Sequence, residues 1–327
     1  MYSLCLRLVF TCCFLGVSTM YAQSRFEEFN TVEAQVGVSR FIGDLAPVTS
    51  PGQGYRWGAT LSGLRQMNPY LKVGASISWT RIGADDFYSP DDILFARNLH
   101  VRNDIKSIQL EARYYLIPLE SNYRQSASIF YPYLSVGVGY LWHNPMARLP
   151  VSVGREWTSL QPLGTEGQGL NTNPIFDEPY KKNTYQLPVG IGFEIIKGSY
   201  TFGASAQLRF TGTDYLDDVR AEFANTNLTR NPTLVVPTDL YNDRVVWGTM
   251  LQRQVERTAA RVNRDRIPRL RDLLTGRGLP TGAETTTVLS LPELGIGAER
   301  GTVAGNDMYV FICFKIGYII PDGIRCP

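Results

Sequence analysis

The sequence is poor in the residues on which most enzymes and disulfide-bonded secreted domains depend. Its 327 residues include two histidines and five cysteines, and three of those cysteines fall within the first 22 residues. Only Cys313 and Cys326 remain in the rest of the chain, which is too few for a disulfide framework. We interpret both as unpaired thiols, with Cys313 in a strand and Cys326 in the tail.

Charge is also scarce and evenly divided. Charged residues make up 19% of the chain and the net charge is +2, which argues against nucleic acid as a partner. Arg7, the apolar run Leu8–Val17 and the small residue Ala22 predict a signal peptide over residues 1–22, with residues 23–327 as the mature domain. No later apolar run is long enough for a transmembrane helix. The exported chain is therefore either soluble or crosses a membrane as strands.

What the sequence does contain is strict two-residue alternation. In Tyr131–Trp142, large apolar side chains alternate with Ser and Gly, which is typical of a strand with lipid on one side and a narrow lumen on the other. Seven other stretches show the same pattern: Thr31–Asp44, Tyr55–Asn68, Leu71–Ile82, Asp104–Ile117, Thr184–Lys197, Tyr200–Gly212 and Met308–Ile320. The sequence predicts an all-β protein, an eight-stranded antiparallel transmembrane β-barrel.

The connections between these stretches alternate in length. Those at 68–71 and 197–200 are tight and 118–130 is moderate, whereas 45–54, 87–103, 145–183 and 220–307 are long. Barrels of the outer membrane keep short turns in the periplasm and long loops outside, and a soluble sandwich has no reason to sort its loops in this way. We therefore expect the outer membrane of a Gram-negative bacterium, reached by signal-peptide export, with membrane lipid around the barrel.

An eight-stranded barrel is narrow enough for side chains to fill its interior. The charged residues predicted to face the lumen are Glu33, Lys72, Glu111, Arg113, Glu194, Arg209 and Lys315. Because an unpaired buried charge is costly and both signs are present, we expect these residues to pair and to plug the barrel. The sequence leaves open which of them pair with one another.

The last connection differs from the others. Apolar residues recur at helical spacing across Leu240–Leu274, and a basic stripe accompanies them at Arg253, Arg257, Arg261 and Arg264. We expect Pro268 to interrupt this helix. Two interpretations stay open: a solvated helix folded over the barrel mouth, or a docking element for a partner or for anionic lipopolysaccharide.

No set of residues predicts chemistry. His100 and His143 lie near the outer rim, where barrel hydrolases keep their sites, but nothing fixes a nucleophile, base and acid together. Two acidic groups, Asp85, Asp86, Asp91 and Asp92 in one loop and Asp214, Asp217 and Asp218 in another, offer oxygen ligands for calcium but do not match the EF-hand pattern. We interpret them as solvated loops, and expect no catalytic residue, metal, cofactor or small-molecule substrate.

Several segments together resemble the PorG-like outer-membrane barrels associated with type IX secretion. They are Phe41–Leu45, Asn98–Asp104, Pro132–Leu134 running to His143–Pro145, Thr165–Gly169, Thr213–Val219, Arg300–Gly301 and Asn306–Asp307. The resemblance implies an eight-stranded barrel without catalysis and, for the secretion-linked members, contact with periplasmic ring proteins of the PorK and PorN type. The Arg-rich last connection is longer than the family leads us to expect.

Three hypotheses follow. The first is a non-enzymatic outer-membrane barrel that anchors the type IX secretion machinery. The second is a surface barrel of the adhesin or membrane-stability type with no secretion role. The third is a lipid-modifying barrel hydrolase that uses His100 or His143.

Overall fold

The computed structural model describes residues 28–45, 54–97, 99–119, 130–148, 157–163, 178–220, 263–282, 291–294, 301 and 305–321. The predicted signal peptide, residues 1–22, lies outside the described residues. Ten strands form one sheet: β1 Phe29–Ile42, β2 Arg56–Asn68, β3 Leu71–Asp85, β4 His100–Tyr115, β5 Phe130–Trp142, β6 Pro145–Arg148, β7 Trp157–Ser159, β8 Asn183–Lys197, β9 Tyr200–Thr211 and β10 Met308–Pro321.

The eight long strands close into a ring. Their order is β3-β2-β1-β10-β9-β8-β5-β4, and β3 pairs with β4 to complete it. Every neighbouring pair is antiparallel, including the first and last strands, where Phe29 lies opposite Pro321. In a closed ring none of these strands has an unpaired edge. A sheet needs this closure wherever no water is present to form hydrogen bonds with its backbone amides. The predicted eight-stranded antiparallel barrel is confirmed.

The two ends of the barrel differ in their connections. At the turn end, β2 joins β3 through Asn68, whose side chain accepts hydrogen bonds from the amides of Tyr70 (2.9 Å) and Leu71 (3.0 Å). At the same end Gly198, with a φ of 62°, makes the tight turn between β8 and β9 because glycine adopts this conformation without strain. The connections 43–55, 86–99, 143–182 and 212–307 all leave the opposite end, called the loop end here.

Strands β6 and β7 are not predicted by the sequence pattern. They are four and three residues long, too short to show alternation. Met146 and Pro145 pair with Arg102 and Asn103 at the loop end of β4, so this hairpin extends the barrel wall beyond the ring.

Two helices pack together beyond the ring: α1, Asp92–Arg97, in the second long connection, and α2, Asn263–Gly276, in the last. Leu270 and Leu274 of α2 are fully buried against Phe95 and Ala96 of α1.

The prediction that Pro268 interrupts the helix is wrong. This proline lies near the beginning of α2, where it removes one intrahelical bond, and the buried leucines hold the turns that follow. Within the described residues, no helix has the length and apolar character needed to cross a membrane.

Candidate functional site

The outer surface of the ring is an apolar belt. Outward side chains on all eight long strands leave large hydrophobic surface exposed, up to 78% for Phe314 in the middle of β10. The belt comprises Val32, Val36, Val38, Trp57, Leu61, Ile77, Ile108, Leu110, Tyr114, Leu134, Val136, Val138, Tyr140, Trp142, Tyr185, Leu187, Val189, Ile191, Tyr200, Phe202, Phe210, Ile312, Phe314, Ile316 and Tyr318. A continuous exposed apolar surface of this extent marks an apolar environment rather than water.

Aromatic rings border the belt on both sides. Trp57 and Trp79 pack at 4.3 Å between ring centroids near the loop end, and Tyr200 and Tyr318 at 5.5 Å near the turn end. Tyr200 and Phe210 are ten residues apart on β9, which at a strand tilt of about 40° corresponds to a height of about 25 Å. The belt therefore has the height and the aromatic borders of a bilayer-spanning surface.

The lumen contains a network of six buried charged residues. Arg113 donates to Glu33 (2.8 Å) and to Glu111 (2.7 Å), joining two carboxylates. Lys72 donates to Glu194 (2.7 Å) and lies 3.9 Å from Glu33. Together with Lys315 these residues, named the lumen network, set three carboxylates against three cations. Six of the seven predicted lumen charges thus lie in one ion-paired cluster.

Glu194 is the hub of the lumen network. One carboxylate oxygen accepts from Lys72, and the other accepts from Lys315 (3.0 Å) and from the Tyr115 hydroxyl (2.8 Å). The side chain of Lys315 reaches Glu194 across Gly203, where a Cβ would lie 2.7 Å from Cε of the lysine. The small residue on β9 therefore leaves room for the long one on β10.

Arg209, the seventh predicted lumen charge, is fully buried in a different layer. Its guanidinium donates to Gln207 (3.0 Å), and lies 5.1 Å from the ring centre of Phe311. Further polar groups of this layer connect Gln186 to Gln109 (3.0 Å) and to the Tyr309 hydroxyl (2.9 Å). Neutral oxygens and aromatic rings surround this guanidinium in place of the expected carboxylate.

Hydrophobic clusters close the lumen above and below its polar layers. The cluster at the turn end consists of Phe29, Tyr115, Leu119, Tyr131, Tyr133, Ile196 and Ile319. The cluster at the loop end, named the rim cap, consists of Phe41, Leu45, Ile82, Ala84, Leu99, Val101, Ile105, Leu141, Ala147, Leu160, Leu216, Val219 and Tyr309. Lys315 lies 4.3 Å from the ring centre of Tyr133, so the charged layer packs directly against the aromatic side chains of the turn-end cluster. This arrangement is that of a packed core.

The rim cap joins four of the segments that carry the family resemblance. The amide of Leu45 donates to Asp217 (3.2 Å), and the Asn103 side chain donates to the carbonyl of Leu216 (2.8 Å). The amide of Leu216 in turn donates to Asp307 (2.7 Å). Residues far apart in sequence thus hold one another at the loop end.

The acidic residues next to the rim cap are buried, which corrects the prediction of a solvated loop at Asp214, Asp217 and Asp218. Burial and the nearby Asp44 raise the pKa of Asp217 well above its usual range. Burial and Asp217 do the same for the pKa of Asp307. Backbone amides from distant segments satisfy these carboxyl groups, a contact that local sequence cannot reveal.

The other acidic group, in the second long connection, is structural. Asp86 is buried, contrary to the prediction, and binds Arg97 through two hydrogen bonds of 2.7 and 2.9 Å. Asp91 caps α1 by accepting from the amide of Ile93 (2.7 Å). Asp92 accepts from Arg269 of α2 (2.8 Å). Within the described residues, no group of His, Cys, Asp and Glu is arranged to hold a metal ion.

Both histidines contact backbone groups. Nε2 of His143 lies 3.1 Å from the carbonyl of Lys181, and the ring stacks on Tyr180 with 6.3 Å between centroids. Burial lowers the pKa of His143 to about 4, so the ring is neutral at pH 7. Nε2 of His100 accepts from the amide of Arg148 (3.2 Å).

The predicted basic stripe falls mostly outside the described residues. This applies to Arg253, Arg257 and Arg261, whereas Arg264 lies in the first turn of α2. The cation that connects this helix to the second connection is Arg269, which the sequence did not single out. Besides Asp92, it binds the carbonyl oxygens of Ser89 (2.9 Å) and Pro90 (2.8 Å), and so fastens the last connection to the second.

Comparison with known proteins finds similarity at the level of solved structures. A scan of protein-family models and a search of curated proteins both find no match. The chain is similar to the crystal structure of Neisserial surface protein A (NspA), with 9% sequence identity over 88% of this chain and 96% of that chain and a TM-score of 0.37. At this TM-score the likeness carries no functional argument, and the barrel assignment rests on the strand pairing described above.

Proposed function

We propose that this protein is a structural, non-enzymatic β-barrel of the Gram-negative outer membrane that anchors a protein-export machine of the type IX class. The apolar belt carries the first part of this proposal. It surrounds the ring, is bordered by aromatic residues, and has the exposed charged residues Lys106 and Lys197 at its two borders. The packed lumen supports a role in anchoring rather than in solute passage.

Fractionation of the source bacterium tests the location. The protein should sediment with outer membranes, resist extraction by alkaline carbonate, and migrate faster on an unheated gel than after boiling. A chain recovered in the aqueous fraction without detergent would refute the membrane location.

The secretion role rests on the resemblance to the PorG-like barrels. Four of the resembling segments meet in the rim cap, so the similarity concerns one connected structure at the loop end rather than scattered matches. The proposed partners are periplasmic ring proteins of the PorK and PorN type, which would meet the turn end of the barrel.

Affinity purification of the tagged protein from cross-linked outer membranes tests this role. The ring proteins should be recovered with it, and deletion of the gene should abolish export of type IX cargo. An unrelated eight-stranded barrel carrying the same tag is the control. Normal cargo export after deletion would instead support a surface barrel of the adhesin or membrane-stability type, an alternative favoured by the packing of α1 on α2 outside the ring.

A further inference from the structure

Beyond the apolar belt at the loop end, the outer face of β3, β4 and β6 turns abruptly cationic. On β4 the outward residues run from Leu110 and Ile108 in the belt to Lys106, Asp104 and Arg102. Successive outward residues are about 7 Å apart along a strand, so the change from apolar to charged takes one step. Lys106 lies opposite Trp79 and Trp142, at the level of the aromatic border.

The cations outnumber the carboxylates on this face. Arg81 binds Asp104 through two hydrogen bonds of 2.6 and 2.9 Å, so this carboxylate is already engaged. Arg102 and Arg148 flank Trp157, with guanidinium carbons 4.2 and 5.2 Å from the centre of its ring. Two guanidinium groups are therefore held beside one indole ring, directly above a surface suited to acyl chains.

In each of these two arginines the Nε atom has no hydrogen-bond acceptor among the described residues. Nε of Arg102 and Nε of Arg148 are both buried, and within the described residues neither finds a hydrogen-bond partner. Leaving such a donor unpaired is costly, so these two Nε atoms call for an acceptor from outside the described residues. The next carboxylate on this face, Asp85, faces His100 and accepts from the amide of Phe87 (3.1 Å).

We infer that Arg102, Arg148 and Trp157 form a binding site for the phosphate groups of an outer-leaflet glycolipid of the lipid A type. The guanidinium groups bind phosphate in the bidentate manner that arginine favours, while the acyl chains lie on the belt below, over Ile108 and Leu110. Lys106 and Trp157 lie at the depth where cationic and aromatic side chains meet lipid headgroups. This inference rests on the proposed outer-membrane location.

Equilibrium binding of the full-length protein in detergent micelles tests the site, with native mass spectrometry as the readout. The probes are bis-phosphorylated lipid A and the same lipid after dephosphorylation, with inorganic phosphate as a competitor. The variant R102Q/R148Q should bind bis-phosphorylated lipid A at least about tenfold more weakly than the unaltered protein. The dephosphorylated lipid should bind weakly, and equally, to both.

The matched control is R65Q/K197Q, which removes two cations just beyond the belt at the turn end and should lose less than about twofold. Equal losses in the two double variants would overturn the site, as would equal binding of the two lipids by the unaltered protein. Displacement of lipid A by inorganic phosphate at equal concentration would overturn the assignment to a lipid. The single variants R102Q and R148Q, each expected to lose about threefold, provide the test if the double variant does not fold.

The two proposals fail in different ways. A protein that sediments with the outer membrane but shows no phosphate-dependent lipid binding overturns only this site. A protein found in the aqueous fraction overturns the proposed function, whatever it binds in micelles.

Discussion

Replacement of Glu194 by glutamine tests the lumen network most directly. The substitution keeps the shape of the side chain but removes the charge that Lys72 and Lys315 contact at 2.7 and 3.0 Å. Three buried cations then face two carboxylates, and one amide oxygen replaces two carboxylate oxygens. Because removal of one partner leaves an uncompensated buried charge, E194Q should lower the free energy of unfolding by about 3 kcal/mol or more.

The measurement is urea unfolding of the protein refolded into lipid vesicles, followed by tryptophan fluorescence and extrapolated to water. The control is Arg65→Gln, which breaks the exposed ion pair with Glu28 at 2.7 Å and should cost less than about 1 kcal/mol. The charge-balanced double variant E194Q/K315M should cost less than the sum of its single variants, since the two side chains are in contact. An E194Q barrel within about 0.5 kcal/mol of the unaltered protein would refute the view that these charges hold the barrel together.

Three further predictions concern the belt and the loop end. Phe314→Lys at the middle of the belt should lower the free energy of unfolding in vesicles by about 2–4 kcal/mol, whereas Phe314→Leu should change it little; equal effects would contradict a lipid-facing position. Since His143 has a pKa of about 4 when folded and an ordinary value when unfolded, its contribution to stability is present above pH 6.5 and lost towards pH 4. His143→Phe should therefore reduce acid-induced exposure of residues 178–183, measured by hydrogen exchange, and an unchanged pH dependence would count against this. The raised pKa of Asp307 has the opposite sign, so its contribution is present in acid and lost as the pH rises through the folded value. Asp307→Asn should slow exchange of the Leu216 amide relative to the unaltered protein at pH 8 but not at pH 4, and a pH-independent difference would refute the charge-based explanation.

The sequence predicts the barrel well because each long strand meets two different environments. Val32, Val36 and Val38 alternate with Glu33 and Gln35 on β1, and the structure exposes the first set and buries the second. The alternation of apolar and polar residues lies within the sequence of each strand. It can therefore be recognised without knowing which strands are neighbours in the sheet.

The loop end is harder to predict, because its contacts join segments distant in sequence. Asp217 and Asp307 have the local appearance of solvated loop residues, yet amides of Leu45 and Leu216 bind them inside the rim cap. The same holds for the partners of Glu194, which come from strands β3, β4 and β10. The lumen charges could be predicted as a set, whereas their pairing depends on the register of strands across the ring.

The rim arginines were missed for a related reason. Arg102 and Arg148 are 46 residues apart in sequence, and the short strand β6 that brings them together shows no alternation. Trp157, on a three-residue strand, gives no local signal either. A search for cations just beyond the ends of predicted membrane strands would have found Arg102, but not its neighbours.

The pairing of β1 with β10 has a consequence for biosynthesis. The seam of the ring joins β1 to β10, the first and last of its strands to be made, so the ring cannot close before β10 has been synthesised. Until then β1 and β9 are edge strands with unpaired amides and carbonyls, which can pair with strands of other chains. A polypeptide that stops before Met308 would lack both Lys315 and the closing strand. It would form an open sheet with two unpaired edges, which is prone to aggregation.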